Sequence, residues 1–304
     1  MASRALKLPT SYALCVSHSE SLIAALGRNV VIADLDCRRR LNTSHPLSHP
    51  SHADFSADDR LLVVKSTWGE IAVLDTKSGE NLCSHRPKRQ DEGTAIRFAP
   101  DSDFLVDGSW SGEIRVRQVS NLSVIESFAF EGEMIKAVSR NEQGDLWLFA
   151  HTTKYKPEVA ETPRPNVSLW KWPLRAAQST FSVGLKTLDA AALAPTAPYI
   201  AVVGFCEETN VRVLRILSSS GSVLASTPLT IGGTGSSTRW SRDSKLVGTV
   251  SKGGFVIYSA PDLTPYATYP EEYPADLAIL SNGAEVVLGS WSACRFAAMV
   301  PSDV

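Results

Sequence analysis

The chain has 304 residues, 43% of them hydrophobic, and a formal net charge of −2. That is enough apolar material for a large core, while the near-neutral balance supplies no field to draw nucleic acid or an anionic membrane. No apolar run approaches the length of a membrane span. The five cysteines, Cys15, Cys37, Cys83, Cys206 and Cys294, are odd in number and never form a Cys-x-x-Cys pair. This points to free thiols in a cytoplasmic setting and away from a disulfide framework.

Residues 1–10 lack a long apolar core after Arg4, so no secretory signal is expected. Ala5 to Leu8 reads as a short strand with no partner nearby in sequence. A first unit follows at 12–43, in which Gly27-Arg28-Asn29 turns the chain into the apolar run Val30 to Leu35. The cluster Arg38-Arg39-Arg40 is a solvated turn, too short to act as a nucleic-acid patch. Next, His45, His49 and His52 stand at short spacing and could share a metal ion. Two prolines between them prevent the helix that would align the rings, and no Cys or carboxylate motif completes a site. The stretch reads as a connector. A second unit spans 52–84, and Arg86-Pro87-Lys88-Arg89 leads on from it.

The third unit, 94–128, is the clearest. Thr94 to Phe98 is apolar-rich. Pro100-Asp101-Ser102-Asp103 is a turn, because Pro fixes φ and the short polar side chains bond back to the backbone. Phe104 to Gly108 is a second run. Trp110-Ser111-Gly112 turns again, and Glu113 to Gln118 alternates with period two. Forty-three residues earlier, Phe55-Ser56-Ala57-Asp58 and Gly69-Glu70-Ile71 fall on Phe98-Ala99-Pro100-Asp101 and Gly112-Glu113-Ile114. Later, Trp240-Ser241-Arg242-Asp243 repeats the first turn, and Gly289-Ser290-Trp291-Ser292 repeats Gly108-Ser109-Trp110-Ser111.

Weaker copies complete the count at 134–182, 187–227, 234–268 and 275–300. The fourth is interrupted by 151–165, H-T-T-K-Y-K-P-E-V-A-E-T-P-R-P, far longer than a hairpin needs. The fifth carries a smaller expansion at Glu207-Glu208-Thr209. Gly232-Gly233-Thr234-Gly235 has no following Gly-Lys-Ser/Thr, so it is an inter-unit turn and not a phosphate loop. Seven units of about 43 residues, each with about four strands, describe one all-β domain over 1–304: a seven-bladed β-propeller of antiparallel blades. The last unit supplies only three strands, and an open blade leaves an exposed edge. Residues 5–8 are therefore expected to complete it.

The third unit resembles a WD repeat, in the pattern apolar-x-F-[SA]-P-D-x-x-[LF]-L-V-x-G-S-x-x-G-x-I-x-V, and the resemblance extends over essentially the whole chain. No repeat ends in Trp-Asp; Leu74-Asp75, Trp170-Lys171 and Ile257-Tyr258 stand nearest. No Gly-His pair precedes a first strand either. The blades are thus expected to rely on packing between sheets. The resemblance implies closure by an N-terminal strand and a non-enzymatic scaffold or adaptor role.

In a propeller, the loops joining second to third strands and fourth to next first strands emerge on one face. The former offer Trp68, Trp110, Tyr155, Phe205 and Trp291; the latter offer the histidines, Arg86, Lys88, Arg89, Glu271, Glu272 and Tyr273. Aromatics and Arg dominate interface energies, so a monomer docking another protein or peptide on this face is the first expectation, with Trp68, Trp110, Tyr155, Phe205, Trp291, Arg86 and Arg89 as candidate contacts. Each Trp could instead pack between blades beneath its own turn. First strands carry Asp54, Arg97, Lys136, Asp189, Arg239 and Asp276. Opposite charges there are expected to pair between neighbouring blades. The rival is a hydrolase or lyase using channel carboxylates or a metal, although no acid/base or Ser-His-Asp arrangement is legible. A third possibility is an aromatic cage at the channel mouth. No cofactor motif is present.

Overall fold

The alternation within each repeat has to bury both faces of a sheet, because every blade stands between two others. In Leu61–Ser66, Leu62 and Val64 point to one side and Val63 to the other, and all three are fully buried. Burying such side chains contributes roughly 1.5–3 kcal/mol each. In a computed structural model this produces seven antiparallel sheets; residues 5–6, 8, 13–36, 39–88, 93–153, 165–229, 237–251, 253–281, 283–291 and 293–299 are described.

Blade one is Ala13–Val16, Leu22–Leu26, Val30–Asp34 and Arg40–Asn42; blade two is Pro50–Phe55, Leu61–Ser66, Ile71–Asp75 and Asn81–His85. Blade three is Gly93–Phe98, Phe104–Ser109, Glu113–Gln118 and Val124–Ala129; blade four is Glu133–Arg140, Leu146–Thr153, Asn166–Lys171 and Ala177–Ser182. Blade five is Ala190–Leu193, Tyr199–Phe205, Arg212–Ser218 and Val223–Pro228; blade six is Thr238–Trp240, Leu246–Ser251, Gly254–Ser259 and Pro265–Pro270. Blade seven has three strands of its own, Pro274–Ile279, Glu285–Ser290 and Cys294–Ala298. Ala5–Leu6 lies antiparallel to the last of these, with Ala5 opposite Arg295 and Leu6 opposite Cys294.

The core is divided among the interfaces between blades. Leu26, Ile32, Phe55, Leu62 and Leu74 pack blade one on blade two, and Val63, Val73, Ile96, Phe98 and Leu105 pack blade two on blade three. Trp147, Phe149 and Trp170 join Ile114 and Val116 between blades three and four. The same pattern continues round to Leu8, Leu14, Ile23, Val287 and Phe296 between blades seven and one. The first strands form the inner ring, each against the next, and that of blade seven meets that of blade one.

Buried polar groups add to this packing between sheets. Asp107 accepts from Lys65 Nζ at 3.1 Å and from Arg117 Nε at 2.6 Å; all three side chains are nearly inaccessible, at 1, 1 and 4% exposed. Lys65 also donates to the Gly108 carbonyl at 2.6 Å, crossing from blade two to blade three. A buried carboxylate needs counter-charges, and Asp107 has these two, with Arg115 Nη1 a more distant third at 3.9 Å. Burial alone would push its carboxyl up, but the Lys65 and Arg117 charges hold it below the usual range.

Candidate functional site

In blades two, three and seven the turn from second to third strand is built on the serine that ends the second strand. In blade two the amides of Trp68 and Glu70 donate to Ser66 Oγ at 3.2 and 3.1 Å. In blade three the Glu113 amide donates to Ser109 Oγ at 3.2 Å, and in blade seven the Ala293 amide donates to Ser290 Oγ at 3.3 Å. All three serines are buried. Gly112 closes its turn at φ +92°, where a Cβ would lie 2.5 Å from the Glu133 carbonyl oxygen and 2.6 Å from that of Phe130. Only glycine fits. With the hydroxyls turned inward, the intervening tryptophans face out: Trp68, Trp110 and Trp291 are 43, 41 and 51% exposed.

Their neighbours are distinct. Trp68 lies 6.0 Å from the His49 ring and lines a small cleft of about 250 Å³ with Arg86, Lys88 and Glu70. Arg86 is held there by Glu70, Nε to Oε1 at 2.7 Å. Trp110 carries Lys136 Nζ at 5.3 Å from its ring centroid, within cation–π range. Trp291 stacks with exposed Tyr273, centroids 6.2 Å apart and planes at 28°. Blades seven, one, two and three are consecutive in the ring, so these groups form an arc, with exposed Arg28 and Asn29 on the blade-one turn between them. Among the described residues no two of the turn tryptophans pair with each other. Phe205 ends the second strand of blade five and is half-buried, unlike the three tryptophans. Tyr155 and Arg89 lie outside the described residues.

The histidines have separate surroundings. His45 meets the amides of Val30 and Leu47. His49 lies beside Trp68. His52 borders the channel with Nδ1 2.9 Å from Ser51 Oγ; burial, then the Lys65, Arg97 and Arg239 charges, push its pKa down to about 3. Among the described residues no three His, Cys, Asp or Glu side chains are grouped closely enough to hold a metal.

An axial channel passes within the inner ring. Its upper part, of about 430 Å³, opens toward the tryptophan face and is lined by His52, Arg97, Lys136, Asp189 and Arg239. Its lower part, of about 300 Å³, includes Cys15, His18, Asp54 and Arg140. Arg97 and Arg239 border both and form the waist. Arg242 of blade six reaches across the lower mouth to Glu142 of blade four and to the His18 carbonyl of blade one, at 3.2 Å.

The pairing expected between neighbouring blades is half right. Arg239 binds Asp276 at 2.7 Å. Asp54 does not bind Arg97, because its Oδ2 is taken by the Phe98 amide at 2.9 Å; Asp276 accepts the Leu14 amide in the same way, at 3.0 Å. These carboxylates stitch one inner strand to the next. Arg97 instead donates to the carbonyls of Ala53 and Ile96, at 3.2 and 2.9 Å. Asp189 precedes its strand and binds Arg212 of its own blade at 3.0 Å.

One arrangement went unnoticed in the sequence. His151 Nδ1 contacts Glu133, and its Nε2 lies 2.8 Å from Ser168 Oγ, which lies 2.8 Å from Thr180 Oγ1. Burial keeps the imidazole neutral, against the pull of Glu133. Nδ1–H then donates to the carboxylate and Nε2 accepts from Ser168. The order is that of a nucleophile triad, but Ser168 is 1% exposed and takes the Thr180 hydroxyl. No substrate reaches it, so this is a polar brace across blade four. Separation in sequence hid it, since strand register alone joins residues 133, 151, 168 and 180.

No family model and no curated protein matches the chain. Solved structures do. The chain is similar to the Kuenenia stuttgartiensis hydrazine synthase structure, with a TM-score of 0.80 at 14% identity, covering 98% of each chain. It is similar to U3-55K, with a TM-score of 0.73 at 16% identity, covering 97% of each chain. At these identities the likeness is one of fold, and the protein is a seven-bladed β-propeller.

Proposed function

We propose that this propeller is a non-enzymatic module that docks another protein or peptide on the face carrying Trp68, Trp110 and Trp291, with Arg86, Phe205, Arg89 and Tyr155 as further contacts. One observation carries the reading. Of the seven tryptophans, Trp147, Trp170 and Trp240 are buried and Trp172 is half-buried, and the three left exposed all sit on turns of one face. Large aromatics held out on rigid turns are the usual anchors of an interface. The propeller fold is consistent with a scaffold role and does not establish it. The module works as a monomer in the cytoplasm, a setting suited to the four described cysteines, all free. The enzyme alternative asks for available channel carboxylates, yet Asp54, Asp189 and Asp276 are each engaged.

The test is capture from a lysate on immobilised wild type and on the triple variant Trp68→Ala/Trp110→Ala/Trp291→Ala. A protein retained by wild type and lost by a variant of unchanged circular dichroism is the expected result. Identical capture by both removes the tryptophan face as the docking site.

A further inference from the structure

Among the described residues, the cations lining the upper channel, Arg97, Lys136 and Arg239, outnumber its carboxylates, Asp189 and Asp276. Arg239 is matched by Asp276, and Arg212 by Asp189. Asp54 faces Arg140 at 3.9 Å. Two channel cations remain. Arg97 uses Nη1 on two backbone carbonyls, and among the described residues no carboxylate lies within 4.0 Å of it. Its Nε and Nη2 have no hydrogen-bond partner there. Lys136 Nζ has the Trp110 ring as its contact and likewise no carboxylate. Both side chains border the same cavity, which opens on the tryptophan face. Ser237 also lines that cavity, and among the described residues its buried hydroxyl meets no hydrogen-bond partner.

A buried or half-buried cation without a counter-ion is costly, and donors aimed into a cavity of this size can receive an oxyanion. Charge-assisted hydrogen bonds from Arg and Lys to carboxylate or phosphate are the strong kind. The neighbouring His52 is kept neutral chiefly by burial and then by the Lys65, Arg97 and Arg239 charges.

We propose that the upper channel is an oxyanion site, and that the polypeptide docked on the face places a carboxylate or phosphate group there, between Arg97 and Lys136. The second half of this statement rests on the docking face proposed above; the first half does not. Lys136 connects the two, since it lines the channel and lies over Trp110.

The probes are inorganic phosphate and glutarate, titrated into the full chain at ionic strength matched with chloride. Tryptophan fluorescence gives the affinity and thermal melting the stabilisation. At an anion concentration ten times its Kd, the wild type should melt about 2–3 °C higher than in chloride. Lys136→Met, which breaks no hydrogen bond of the fold, should raise the Kd about tenfold or more. Arg97→Met should do the same, read by fluorescence because it also frees two carbonyls. Tighter binding of phosphate identifies a phosphorylated side chain as the group received; equal or tighter binding of glutarate identifies a carboxylate. The site is overturned if neither anion differs from chloride, or if both variants bind as wild type does. Because no partner is present, such a failure leaves the docking face standing, whereas identical capture by wild type and the tryptophan variant would remove the docking face and leave the anion titration unaffected.

Discussion

Replacing Asp107 by Asn should be among the most damaging single changes in the protein. Among the described residues Asp107 is the carboxylate in contact with buried Lys65 and Arg117, and without its charge those two cations, with half-buried Arg115 nearby, are left unbalanced in the interface. Removing one partner of a buried ion pair costs about 3–5 kcal/mol. That is a large share of the roughly 5–15 kcal/mol that holds a domain together. Lys65→Met is the control. It leaves Asp107 paired with Arg117 and fills the ammonium's path with an apolar side chain, so its cost should stay below about 2 kcal/mol. Urea unfolding followed by tryptophan fluorescence measures both. On the Lys65→Met background Asp107→Asn should cost less than it does alone, giving a coupling term in the cycle. Equal damage from the two single changes would refute the assignment of Asp107 as the hub. The network also bears on function. Lys65 stands two residues before Thr67-Trp68 and bonds to the Gly108 carbonyl, two residues before Trp110. The spacing of the two tryptophan turns therefore depends on it.

Four further outcomes are expected. Gly112→Ala should lower stability by at least about 2 kcal/mol in the same urea assay, because its Cβ meets the Glu133 and Phe130 carbonyls at a φ of +92°. Deleting residues 2–9 should lower the melting temperature by several degrees, since it removes buried Leu8 and the strand paired with Cys294–Ala298; an unchanged melting curve would show that the ring does not need this closure. Linking 153 to 165 by Gly-Ser should leave circular dichroism and melting intact, because His151 already pairs with Asn166 across the hairpin; collapse of the fold would contradict this. Finally, between the ordinary His pKa of 6.5 and the folded value of about 3 for His52, the unfolded chain binds the additional proton. Stability should therefore fall as pH drops from 6.5 toward 3, by at most about 1.4 kcal/mol per pH unit, and by less where channel solvent reaches the ring. His52→Asn should flatten that slope.

Much of this architecture can be read from the chain, because a propeller repeats its physics. The shared turn residues Phe55-Ser56-Ala57-Asp58 and Phe98-Ala99-Pro100-Asp101 set the period, and period-two strands such as Glu113–Gln118 give the blades. The recurrence of Gly-Ser-Trp-Ser at 108–111 and 289–292 marked the tryptophan turns, but whether each Trp faced out or packed beneath its own turn stayed open in the sequence. What the sequence concealed depends on pairings between distant residues. Asp54 and Arg97 occupy equivalent positions in adjacent blades and have opposite charges, yet the Phe98 amide claims the carboxylate first. Lys65 reads as a surface lysine at a strand end, and only the register of blade two against blade three places it on Asp107. The brace through Glu133, His151, Ser168 and Thr180 likewise needs four strands in register before its members meet.

The docking face is tested most directly by amide hydrogen exchange of the protein with and without its captured partner. Slowed exchange should be concentrated in the turns at 67–70, 109–113 and 290–293 and in the linkers at 86–88 and 271–273. Slowing confined to the opposite turns, at 17–21, 56–60, 99–103 and 241–245, would place the partner on the other face and contradict the proposal.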